Sequence, residues 1–129
     1  MGKFKNLFLS LLFVLCFSIS VWAITVVGSG TQTAVISTEH TLYEVTTPNY
    51  YTGSINLGNM ASGDTTEIRL YKKILTGSTQ DLIDVWTFTD AQTKTVFYIP
   101  PVSAPFGVKI TLKQTGGTGR NYDWSVETP

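Results

Sequence analysis

The side chains able to do chemistry in this 129-residue chain are few and scattered. His40 is the only histidine. A zinc site takes three or four N, S or O ligands, and a Ser-His-Asp triad would have to be built on this one imidazole. No Gly-x-Ser-x-Gly elbow is present to supply the nucleophile. Asp81, Asp84 and Asp90 form the densest acidic group. Loop oxygens of this kind can hold calcium, but their spacing matches neither an EF-hand nor a repeat-type calcium motif, so they read as turn and edge residues. Gly116-Gly117-Thr118-Gly119-Arg120 has the glycines of a phosphate loop without the Lys-Ser/Thr and helix that complete one. It reads as a hairpin turn. No catalytic residue, metal ligand or cofactor is assigned.

Aromatic side chains offer a different chemistry. Tyr50 and Tyr51 follow Pro48-Asn49, and Tyr122 and Trp124 lie close to Arg120. Aromatic rings combine apolar area with a polar tip, which suits stacking on sugar rings at a binding surface. Trp86 and Trp124 fall on inward parities and are expected in the core. Tyr50, Tyr51 and Arg120 are the candidate binding residues.

These side chains need a scaffold, and the pattern after residue 30 is one of short strands parted by turn chemistry. Ala34, Ile36 and then Leu42 to Val45 suggest two short strands. Tyr51, Gly53, Ile55 and Leu57 alternate with Thr52, Ser54 and Asn56, a period of two that fits a half-buried strand. Thr66, Ile68 and Leu70 alternate with Glu67, Arg69 and Tyr71. Leu82, Trp86 and Phe88 share one parity with Asp84 among them, which predicts an irregular beginning to that strand. Val96 to Ile99 is a nearly continuous apolar run, expected to be buried on both faces and ended by Pro100-Pro101, since proline cannot donate to a ladder. Phe106, Val108, Ile110 and Leu112 alternate with Lys109, Thr111 and Lys113, and Tyr122, Trp124 and Val126 form the last inward set. Seven to nine strands with turns every 8–12 residues or so predict an all-β, antiparallel β-sandwich, immunoglobulin-like or jelly-roll.

The chain opens on an exportable segment. Lys3 and Lys5 precede a strongly apolar stretch to Phe17, and Val21 and Ala23 supply small residues before a cut between Ala23 and Ile24. That is the layout of a secretory signal peptide. The alternative is a retained hydrophobic helix. Leu7 to Val27 is long enough to span a bilayer, which takes about 20 apolar residues, and the next charge after Lys5 is Glu39. Cys16 follows bulky Leu15, which disfavours lipoprotein anchoring. The expected organisation is a signal peptide or anchor over 1–23, a flexible lead-in over 24–33 and the β-sandwich over 34–129. Either way the domain is extracellular or surface-displayed, with membrane contact only through residues 1–27.

After removal of residues 1–23 the chain has no cysteine, so its stability must come from a hydrophobic core. Seven basic residues then face nine acidic ones, a net charge of −2. No basic tract of the kind that neutralises phosphates is present, so nucleic acid is not an expected partner.

Three segments carry a resemblance. Gly63 to Lys73, Tyr98-Ile99-Pro100-Pro101 and Phe106 to Trp124, above all the stretch from Lys109 to Trp124, resemble small β-sandwich proteins encoded in structural gene regions of bacterial and archaeal viruses. The resemblance covers about half the chain and implies a virion-associated or surface-assembly role without catalytic residues. The hydrophobic leader departs from the many virion proteins that are not exported. The expected function is a non-enzymatic structural protein whose partners are copies of itself or other structural proteins. The alternatives are a secreted or anchored carbohydrate-binding module, with a glycan as partner, and a small hydrolase using loop carboxylates.

Overall fold

The computed structural model describes residues 23–129; the hydrophobic helix expected at the N-terminus lies outside the described residues. Eight strands follow one another: β1 (Thr25–Thr33), β2 (Glu39–Val45), β3 (Asn49–Asn56), β4 (Thr65–Lys72), β5 (Asp81–Thr89), β6 (Val96–Ala104), β7 (Val108–Gly116) and β8 (Asn121–Thr128). They form two four-stranded antiparallel sheets, ordered β1-β8-β3-β6 and β2-β7-β4-β5. The architecture is therefore the expected all-β sandwich. Among the described strands only β4 and β5 are consecutive neighbours in one sheet; every other connection passes from one sheet to the other.

The core comes from residues of one parity on the central strands. Tyr51 and Ile55 of β3, Ile68 and Leu70 of β4, Val108, Ile110 and Leu112 of β7, and Tyr122 and Val126 of β8 are all buried. Each large aliphatic among them contributes about 1.5–3 kcal/mol by leaving water. The alternation in β3, β4 and β7 places these side chains inward as the sequence pattern requires. Aromatic pairs close both sides of the sandwich. Phe97 of β6 packs on Trp86 and Phe88 of β5 with ring centroids 5.1 and 5.0 Å apart. Tyr43 of β2 meets Tyr51 of β3 at 6.0 Å.

Four local expectations are corrected. Residues 24–33 are not a flexible lead-in: Thr25 to Thr33 form β1, paired along its length with β8. Its glycines serve packing, since a Cβ at Gly28 would strike the Tyr43 ring. That requirement breaks the apolar alternation by which strands are recognised. Val96 to Ile99 is not buried on both faces, because each sheet of the sandwich has one face in solvent: Ile99 points inward and is buried while Val96 and Tyr98 point outward and are exposed. Pro100 and Pro101 do not end that strand. They sit in an irregularity opposite Thr52, between the pairs Tyr51–Val102 and Gly53–Ile99, and the Thr52 hydroxyl donates to the Ile99 carbonyl at 2.7 Å. An edge position tolerates the missing N–H groups. The Gly116–Gly119 segment is not a hairpin, because β7 and β8 belong to different sheets. In addition, Ala34 and Ile36, expected in a first short strand, fall in the link before β2, where Ser37 takes a φ of 65°.

Candidate interaction surfaces

Arg120 is half-buried and tied into the fold. Its Nε donates to Asp64 Oδ2 at 2.8 Å, and Asp64 is only 1% exposed. The Ala61 N–H also donates to Asp64 Oδ2, and the Thr118 N–H to Oδ1. The Arg120 hydrogen bond, opposed by burial and helped by the two backbone donors, holds the Asp64 carboxyl below the usual range. Gln114, wholly buried, continues the network. Its amide donates to the carbonyls of Gly116 and Thr118, and its Oε1 accepts from the Arg120 N–H and the Tyr122 hydroxyl. Tyr122 Oη lies 2.7 Å from Thr66 Oγ1, and burial raises its pKa. The cluster ties the β3–β4 and β7–β8 links together at one end of the sandwich. Its polar groups are spent on one another, as buried polar groups must be.

Tyr51 is likewise internal, at 3% exposure, with its hydroxyl donating to the Thr47 carbonyl at 2.8 Å. Tyr50 has the opposite parity and is 58% exposed. Of the three candidate binding residues, Tyr50 is the most open, Arg120 is half-buried against Asp64 and Tyr51 is internal. The sequence reading missed Tyr98, which is 70% exposed on the same outer face. The apolar run around Tyr98 concealed it, although its parity opposite to Ile99 was a usable signal.

The outer face of the β2-β7-β4-β5 sheet carries a charged network. Glu39 Oε1 accepts from the hydroxyls of Tyr71 and Thr111, and Glu39 Oε2 accepts from Arg69 at 2.8 Å. Arg69 also binds Glu67 at 2.6 Å, and the Lys109 ammonium lies 4.5 Å from the Tyr71 ring centre. Burial pushes the Glu39 pKa up, but the Thr111 and Tyr71 hydrogen bonds and the Arg69 charge outweigh it and leave it lowered. Arg69 is correspondingly raised, chiefly by its hydrogen bond to Glu67.

The β5 edge is different. Leu82, Ile83 and Val85 are exposed, as are Ile74 and Leu75 in the link that leads to them. Leu82 was expected inside with Trp86 and Phe88. An extra residue between the pairs Leu70–Asp84 and Tyr71–Leu82 turns it out.

The remaining chemical candidates have ordinary partners. His40 Nε2 accepts from the Val35 N–H at 3.0 Å. Asp84 accepts from the Val85 N–H and Asp90 from the Gly63 N–H. Among the described residues no three His, Cys, Asp or Glu side chains are grouped to hold a metal ion, and no helix is long and apolar enough to cross a membrane. Ala23 and Ile24, the expected cleavage pair, are exposed immediately before β1. No protein-family model matches the chain, nor does any curated protein or solved structure.

Proposed function

We propose that this protein is a non-enzymatic, exported assembly protein of a virion or cell surface, and that its sandwich is an eight-stranded jelly roll. The orders β1-β8-β3-β6 and β2-β7-β4-β5, with one hairpin and otherwise inter-sheet connections, support the jelly-roll reading. The observation that carries the assembly reading is the β5 edge.

An edge strand offers unpaired N–H and C=O groups to a partner unless it is protected. Two of the other edges differ from β5: β2 carries Glu39 and Glu44 and exposes no large aliphatic side chain, and β6 has two prolines. β1 carries no charge and exposes Val26 and Val27 next to Ile24, a smaller apolar group than the Ile74, Leu75, Leu82, Ile83 and Val85 cluster at β5. β5 spans nine residues, with Leu82, Ile83 and Val85 exposed and only Asp81 and Asp84 as charges. Antiparallel pairing of β5 with β5 of a second copy about Val85 sets Asp84 against Trp86 and Asp81 against Thr89. No like charges stand opposite. Pairing with β2 would instead bring these aspartates to a strand carrying Glu39 and Glu44. The self-complementary arrangement is the one a two-fold dimer needs.

Light scattering on the protein recovered from its expressing host tests this. The expected result is a dimer or larger species, reduced to monomer by Val85→Lys, which would set two ammonium groups at the two-fold axis. A wild-type protein that stays monomeric at high concentration, or association unchanged by Val85→Lys, defeats the proposal.

A further inference from the structure

We infer that the outer face of the β1-β8-β3-β6 sheet is a binding site for a neutral oligosaccharide. This is independent of the assembly reading, which uses the edge of the other sheet. Tyr50 of β3 and Tyr98 of β6 both project from this face and are 58% and 70% exposed. Tyr98 pairs with Ser54, four residues beyond Tyr50, so the two rings are set about 13 Å apart along the strands. Two rings at that separation suit an extended ligand better than a single compact one.

The surface beside them combines apolar area with a few hydroxyl, amide and carboxylate groups. Ser54 pairs with Ser125 of β8, and a hollow of about 260 Å³ runs over both, bounded by Asn56, Val96 and Asp123. A second hollow of about 190 Å³ lies at the other end; its open surface is apolar, with Tyr50, Pro101, Ile24 and Pro129 in its wall, and suits the apolar face of a sugar ring. Tyr98 stands across from Ser54 at the first hollow and Tyr50 in the wall of the second, so polar groups and exposed rings follow one another along the face, the complement of a sugar chain whose apolar ring faces stack while its hydroxyls donate and accept.

Charge narrows the ligand. None of the four strands of this sheet contains Lys or Arg, and the charges they carry are Asp123 and Glu127. A phosphate, a sulfated saccharide or a nucleic acid would meet only repulsion here. A peptide seeking backbone pairing could add only at the β1 or β6 edge, because β3 and β8, which carry Tyr50, Ser54 and Ser125, are already paired on both sides. A neutral polyol satisfies all of these conditions.

The test is an NMR titration of the isotopically labelled protein with four neutral series (cello-, xylo-, malto- and galacto-oligosaccharides) and with a heparin fragment. At least one neutral series should bind with a Kd of about 1 mM or tighter. Shifts should centre on Ser54, Tyr98 and Ser125, with no response to heparin. Tyr98→Ala and Tyr50→Ala should each weaken binding about fivefold or more. Both side chains are exposed, so the fold is retained, and the unshifted core resonances of Ile68 and Leu112 report this. The inference is overturned if no neutral series binds, if only heparin binds, or if both tyrosine variants bind as the wild type does. It is equally overturned if the same resonances respond only to protein concentration, which would make this face a contact between copies.

Discussion

Arg120 and Asp64, 56 positions apart in the chain, meet at 2.8 Å and lock two inter-sheet links to each other. The pair fixes one end of the sandwich, because Asp64 also receives the Ala61 and Thr118 N–H groups. Removing the carboxylate leaves three donors without their acceptor. Asp64→Ala is expected to cost about 3 kcal/mol, measured by denaturant unfolding near neutral pH.

That cost depends on pH with a definite sign. The folded pKa of Asp64 is held below 3.8, its ordinary value, by Arg120 and the backbone donors. The stabilisation is therefore fully present above that value and is lost as pH falls through the lower folded one. The gap in stability between wild type and Asp64→Ala should narrow below pH 3.8. A gap that stays constant on acidification would show that Asp64 acts through packing alone.

Glu39 gives a weaker version of the same behaviour. It joins β2 to β7 and β4 through Thr111, Arg69 and Tyr71. Its pKa lies below 4.5, so its contribution too is lost as pH drops below that value. Glu39→Gln should destabilise by about 1 kcal/mol, because the groups are partly exposed and Arg69 keeps Glu67. The readout is the urea midpoint.

β1 allows a truncation test. A chain beginning at Ile24 keeps all of β1, whose first residue is Thr25, and should unfold at the same temperature as the longer chain. A chain beginning at Ala34 loses the β1–β8 pairing and uncovers Tyr43 and Trp124, whose rings lie against Gly28 and Gly30. It should fail to fold or melt far lower. Thermal scans of the two truncations decide whether β1 is part of the domain's stability.

Gly107 tests the link between β6 and β7. Its φ of +125° is one that L side chains rarely adopt, and a Cβ there would run into the Val45 carbonyl oxygen. Gly107→Ala should cost on the order of 2–3 kcal/mol. Gly77→Ala also has a positive φ but meets nothing within 4 Å, so it should cost less. Comparing the two separates backbone strain from collision.

The alternation of Ile68 with Arg69 and of Ile110 with Thr111 was enough by itself to specify strands and their inward faces. Side-chain direction in a strand is a local property with a period of two, so the all-β class and most of the core were legible without a structure. The placement of each strand within the sheets was not. Val96-Phe97-Tyr98-Ile99 reads the same whether one or both faces of its sheet are covered, and only the two-layer packing, which leaves the outer face open, puts Tyr98 in solvent. Thr25 to Thr33 lacks alternation because Gly28 makes room for Tyr43, a residue fixed by another strand. Arg120 reads as a free surface cation until the fold brings Asp64 to it. Each of these facts rests on contacts between residues distant in sequence, which local periodicity does not encode; tertiary structure alone decided which apolar and charged side chains were left facing water.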